Sequence, residues 1–203
     1  YSNAGITYTT DAGAPRSSWI ARIENSGELE NHAIANKDLE FLALEVAGNT
    51  ANQSLILDTG KNLSGRNEIR ISDNGSLAVN GGTVSSLRWV DIKSGGMLKG
   101  TGTIDATVYN SGNLSSLNQL QLKSDYYQSG NSDLRVTLSG KGGPSFQVVG
   151  KAQLAGYLNI HVDPIFKPKK GKIYTLLTAD SVSGKFTNKH GKVVSNDGTQ
   201  FSI

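Results

Sequence analysis

Asn74-Gly75-Ser76-Leu77, Gly95-Gly96-Met97-Leu98 and Ser111-Gly112-Asn113-Leu114 carry one phrase through residues 74–114: a turn, a glycine, any residue, then leucine. Ser26-Gly27-Glu28-Leu29 and Ala155-Gly156-Tyr157-Leu158 repeat it on either side. From Gly75 to Gly96 is 21 residues and from Gly96 to Gly112 is 16. From Gly27 to Gly75 is 48, room for two further units through Ala47-Gly48 and Thr59-Gly60. A period near ~20 with one short strand-and-turn unit per repeat marks a solenoid. A single unit cannot bury its apolar side, whereas stacked units share a continuous core. The phrase therefore predicts an all-β chain wound as a right-handed, single-stranded parallel β-helix, with inward Leu, Ile and Val stacked in ladders. Its uneven spacing points to a loop-tolerant winding.

The rest of the chain agrees with strands. Apolar residues alternate with polar ones in Trp19–Ile23, Ser54–Leu57, Glu68–Ile71, Thr103–Tyr109, Leu134–Leu138 and Tyr157–Val162, the period of a half-buried strand. Between them lie Asn25-Ser26-Gly27, Asp73-Asn74-Gly75, Asn80-Gly81-Gly82, Asn110-Ser111-Gly112 and Asn196-Asp197-Gly198. Gly and Asn tolerate the positive φ of tight turns best. Lys37–Val46 has a helix-like look, but its apolar residues Leu42, Leu44 and Val46 alternate, so it too reads as strand.

Composition excludes several function classes. The 203 residues suit one large domain or two small ones. Gly is 24 of 203, about 12%, against a usual ~7%. No Cys is present, which removes disulfides, thiolate catalysis and thiolate metal sites together. Lys+Arg 20 against Asp+Glu 17 leaves +3, too small and too dispersed for a dedicated nucleic-acid surface. The longest apolar cluster, Phe41-Leu42-Ala43-Leu44, falls far short of the ~20 residues a membrane helix needs. The chain begins at Tyr1 without Met, so an excised segment or mature fragment is expected, with any signal peptide or anchor outside it.

From about Gln119 the rhythm loosens, and residues 119–160 read as an antiparallel-looking series of hairpins. The chain then divides into coils over 1–118 and a capping region over 119–203. In order come Tyr127-Gln128-Ser129-Gly130; Leu134, Val136 and Leu138; Phe146, Val148, Gly150, Ala152, Leu154, Gly156, Leu158 and Ile160; Gly171, Tyr174, Leu176, Leu177 and Ala179; and Gly184 with Phe186. Upstream stands Gly96-Met97-Leu98-Lys99-Gly100-Thr101-Gly102-Thr103-Ile104. This ordered set, over roughly residues 95–190, resembles the C-terminal passenger region of type V autotransporters, the exported proteins of Gram-negative bacteria. One departure is Asn113–Leu117, where many members carry a Pro-Gly turn.

The resemblance implies a pectin-lyase-like β-helical stalk ending in an autochaperone or junction region with a hairpin-rich cap. It implies export through the outer membrane to the cell surface or the medium. The partner in cis is the protein's own outer-membrane β-barrel translocator. Self-association, or a host-surface glycan or protein, is a further expected partner, as for an adhesin or virulence factor. The expected role is structural: to fold early, to promote passenger folding and secretion, and to display an upstream domain, with no cofactor, no metal and no nucleic acid. The structural residues singled out are Leu77, Leu98, Ile104, Leu114, Leu134, Val136, Gly156, Leu158, Tyr174, Leu176 and Phe186, most of them as buried ladder positions. The alternative is a carbohydrate-active or glycan-binding β-helix.

Catalytic signatures are sparse. Leu57-Asp58-Thr59-Gly60 matches the Asp-Thr-Gly of aspartic proteases, where two carboxylates share a proton. One copy could act only in a homodimer, and a turn after a strand is the preferred reading. His32, His161 and His190 are the only histidines and form no HExxH. Asp73, Asp91 and Asp105 are spaced singly, unlike the paired carboxylates of glycosidases. Phe166-Lys167-Pro168-Lys169-Lys170-Gly171-Lys172 is the one basic run, read as a solvated turn or as a contact for anionic lipid.

Overall fold

The computed structural model describes residues 4–9, 20–25, 33–35, 38–48, 54–140, 142–188 and 191–203. Among them the chain is built of strands. β1 (Ala4–Thr9) and β2 (Ile20–Asn25) form an antiparallel pair. β2 also pairs parallel with the later strand Leu44–Gly48, so it already belongs to the winding, which lays strands on three parallel sheets in rotation. One turn is β3 (Ala33–Ala35), β4 (Leu39–Phe41) and β5 (Leu44–Gly48); the next is β6 (Ser54–Leu57), β7 (Asn62–Gly65) and β8 (Glu68–Ile71). β9 (Ser76–Ile92) and β10 (Met97–Asn110) each run through all three sheets as one bent strand. β11 (Asn113–Leu122) covers two sheets and β12 (Tyr126–Gln128) the third. β13 (Asp133–Leu138), β14 (Phe146–Val148) and β15 (Lys151–Leu154) follow, then β16 (Tyr157–Val162), β17 (Leu177–Thr178) and β18 (Ser181–Gly184). β19 (Lys192–Val194) and β20 (Gln200–Ser202) close the chain as an antiparallel hairpin. The whole is a β-solenoid of about six turns.

Register explains the recurring leucine. Leu55, Leu77, Leu98, Leu114, Leu134 and Leu158 face one another in consecutive turns of the first sheet, and all are buried. Turns stack at the ~4.8 Å strand spacing, so each leucine rests on the one beneath it. Burial of each contributes about 1.5–3 kcal/mol. The second sheet stacks Leu63, Val84, Ile104, Leu122 and Val148, and the third Leu44, Ile69, Val90, Val108, Tyr126 and Ala152.

The glycine of the phrase has a different cause from the one expected. Gly75, Gly96 and Gly112 are not in the left-handed region; in the first two turns positive φ falls on Asp73, Asn74 and Gly95 instead. What excludes a side chain is contact. A Cβ at Gly75, Gly96, Gly112 or Gly156 would lie 2.3 Å from the carbonyl oxygen of Val46, Ile71, Lys93 or Ser132, each on the preceding turn of the solenoid. The corner between the first and second sheets is tighter still. At Gly100 (φ +133) a Cβ would stand 2.0 Å from the Val79 carbonyl, and at Gly102 (φ +110) 2.4 Å from that of Gly82.

Two expectations are corrected. The strands from Gln119 to Gly184 are not hairpins: β11, β13 and β16 pair parallel, as do β12, β15 and β18, and β11, β14 and β17. Successive strands go to different sheets, so strand–turn alternation continues the winding, and among the described residues C-terminal antiparallel pairing is confined to β19–β20. Leu176 and Phe186, expected inside the ladder, are half-buried, as is Tyr174. They pack against the core from its C-terminal end, where no further described turn covers them. Lys37–Val46 does hold β4 and the start of β5.

Candidate functional site

The residues with chemical potential are scattered along the rod. Asp58 follows β6 in a tight turn: its carbonyl accepts the Lys61 N–H (3.1 Å), Gly60 has φ +72, and the Thr59 hydroxyl donates to the Asn80 carbonyl (2.7 Å). That is the geometry of the turn reading. Asp73 lies in a turn at φ +47, Asp91 on the third sheet, ion-paired with Lys93, and Asp105 exposed on the second sheet. His161 is exposed on β16, while His32 and His190 lie outside the described residues. Among the described residues, no cluster of three metal-ligating side chains occurs.

The structure concentrates its specific polar geometry at the C-terminal end. A last parallel strand leaves alternate N–H and C=O groups unpaired, a template for foreign strands. On β16, Tyr157 points its N–H at Ser132 of the preceding turn (2.9 Å), so Leu158, Ile160 and Val162 turn theirs outward. Two side-chain amides answer those of Leu158 and Val162. Asn188 accepts the Leu158 N–H (2.8 Å) and donates to the Leu158 carbonyl (3.0 Å). Asn196 accepts the Val162 N–H (2.6 Å) and donates to its carbonyl (3.3 Å). Each asparagine amide thus imitates one residue of a neighbouring strand. Val193 of β19 is buried in the common core. The turn behind it is held by Asp197, which accepts from the Ser195 hydroxyl (2.6 Å) and the Thr199 N–H (3.0 Å). Those two bonds keep its carboxyl below the ordinary Asp range.

Asn188 and Asn196 are outside the set singled out from sequence. Asn196 shows only as part of a turn triplet, and Asn188 carries no local signal at all. Replacing both with alanine is expected to cost about 1 kcal/mol per amide, the net worth of such bonds. The double variant should melt lower and form concentration-dependent assemblies, read by thermal unfolding and light scattering. Unchanged melting and mass would show that the amides do not seal the edge.

Further inside, the apolar ladder Val46, Ile71 and Ile92 changes to Asn110 and Gln128. The Tyr126 hydroxyl donates to Gln128 (3.2 Å) and accepts from the Asn110 amide (3.0 Å). Asn110 also donates to the Asp133 carbonyl (3.0 Å) and accepts the Gly112 N–H (3.2 Å). Gln128 donates to the carbonyls of Ser132 and Tyr157. This buried network ties together the corner turns from Asn110 to Tyr157. Burial raises the Tyr126 phenol pKa well above its usual value, opposed in part by the Asn110 bond, and keeps it protonated.

On the outer face of the third sheet, Tyr109 and Tyr127 stack at 5.2 Å, with Trp89 edge-wise to Tyr109 at 6.2 Å. Arg88 covers the Trp89 ring at 5.2 Å, and the Trp89 N–H donates to Glu68 (3.0 Å). Tyr109 and Tyr127 each turn one face to the other. Such pairs contribute about 0.5–1.5 kcal/mol beyond burial, so the row works as a clamp between turns.

Beside the seal, Leu158, Ile160, Pro168, Tyr174, Phe201 and Lys172 help line a cleft of about 680 Å³. Comparison with protein-family models, curated proteins and solved structures found no match.

Proposed function

We propose that this chain is a non-catalytic stalk from the C-terminal end of an exported autotransporter passenger. Its last turns act as the seed on which upstream coils wind. The observation that carries the reading is the seal on the last turn of the rod. One hydrophobic cluster runs from Leu44 to Val193, flanked at one corner by the buried Asn110–Gln128 network, and ends at a seal, Asn188 and Asn196 over β16. Solenoid folding nucleates where a turn is stable on its own and then spreads by nearest-neighbour contacts. Chemistry belongs elsewhere in the parent protein, at the cell surface or in the medium, with the outer-membrane barrel as the partner in cis. The ordered resemblance across residues 95–190 falls on β10 through β18 and supports the same reading.

The test is surface display. The chain is fused between a signal peptide and an outer-membrane β-barrel, and folding outside the cell is read by protease resistance on intact bacteria. Leu158 is 4% exposed on the last turn. Leu158→Asp should reduce the resistant, surface-exposed fraction about tenfold, because a buried carboxylate is strongly disfavoured. Equal display of wild type and Leu158→Asp would refute the seed role.

A further inference from the structure

We propose that the loop between β16 and β17 is a docking site for an anionic lipid surface. Its lysines meet the headgroups, and Ile165 and Ile173 enter the acyl boundary. The two isoleucines are 91% and 92% exposed, more than any other described large apolar residue. Lys167, Lys169, Lys170 and Lys172 lie between them, and no Asp or Glu occurs from 164 to 179. Among the described residues none of the four makes an ion pair. The acidic groups that bear on the loop are Asp163 at its base and Asp197 near Lys167.

The loop is a built structure. Asp163 accepts the Phe166 N–H on its carbonyl (2.8 Å) and the Ile165 N–H on its carboxylate (3.1 Å), a tight turn that leaves Ile165 outside. Phe166 meets Tyr174 edge-on at 5.8 Å and packs against Gly140. The Phe166–Tyr174 contact closes the loop on itself, with exposed Ile165 and Ile173 next in sequence to the two rings. The Tyr174 hydroxyl accepts the Lys169 N–H (2.7 Å), and the Lys172 N–H donates to the Lys169 carbonyl (3.1 Å). Lys172 lies over the Tyr174 ring at 5.6 Å, and two apolar side chains held in water beside four lysines that make no ion pair among the described residues are costly in solution. They match a surface that is anionic outside and apolar a few ångströms within. Lysines near such a surface each add about fivefold in affinity. This proposal does not rest on the stalk reading.

The experiment uses the complete chain and co-flotation with vesicles, either of phosphatidylcholine alone or mixed with phosphatidylglycerol. Wild type should float with the anionic vesicles only, and salt should weaken it. I165S/I173S and K167E/K170E should each weaken binding about tenfold or more, with unchanged melting temperature. No flotation, or equal flotation with both vesicle types, would overturn the proposal. So would I165S/I173S binding as tightly as wild type while both bind soluble polyglutamate. That result would assign the lysines to an acidic macromolecule.

Discussion

Leu114→Asp is expected to abolish cooperative folding of the rod. Leu114 is fully buried, with Leu98 below it and Leu134 above it in register. An aspartate there cannot turn outward. Period-2 alternation sends its neighbours Asn113 and Ser115 to the other face, and a one-residue slip would invert every side chain of β11. The carboxylate must then be buried unpaired or enter protonated, and either costs more than a domain's marginal stability of ~5–15 kcal/mol can readily bear. The measurement is thermal unfolding by circular dichroism together with limited proteolysis. Leu114→Ala, which only opens a cavity, should cost about 2–5 kcal/mol. Arg135→Asp, exposed on the adjacent strand, should stay within about 0.5 kcal/mol. A cooperative Leu114→Asp transition at the wild-type temperature would refute the leucine ladder as the source of stability.

Gly156→Val should release the last turn. Gly156 has φ +53, and a Cβ there would sit 2.3 Å from the Ser132 carbonyl and 2.6 Å from that of Ser129. A left-handed backbone costs an L residue about 1–2 kcal/mol, and forced overpacking adds about 1–3 kcal/mol. The same displacement breaks the Gln128 bonds to the Ser132 and Tyr157 carbonyls. The expected total, about 3–5 kcal/mol, falls on β16–β18. Hydrogen exchange should therefore show those strands unprotected while β9 and β10 stay protected. Uniform loss across the rod would mean that its turns do not fray from the end, and full protection of β16–β18 would mean that the glycine is not needed.

The hairpins expected over residues 119–160 are instead parallel strands, and the reason is physical. Tyr157–Val162 and Leu134–Leu138 alternate as any half-buried strand does, and alternation carries no mark of the partner's direction. Only the pairing of Asp133 with Tyr157 and Leu138 with Val162 makes the set parallel. The candidate site was less legible still. Phe166–Lys172 stands out as a basic run, yet the exposure of Ile165 and Ile173 depends on how Phe166 meets Tyr174. Asn188 and Asn196 act on residues 30 and 34 positions away, beyond the reach of any local pattern.

The repeating unit, the strand periodicity and the inward leucines can be read along the chain, because side-chain alternation and chain punctuation are local properties. The tertiary structure alone decided why glycine precedes those leucines: the carbonyl of the preceding turn occupies the space a Cβ would need. It also decided how the outward amides of the last strand of the first sheet are met. An edge strand's unpaired amides are satisfied or left bare by whatever distant segment the winding brings to them.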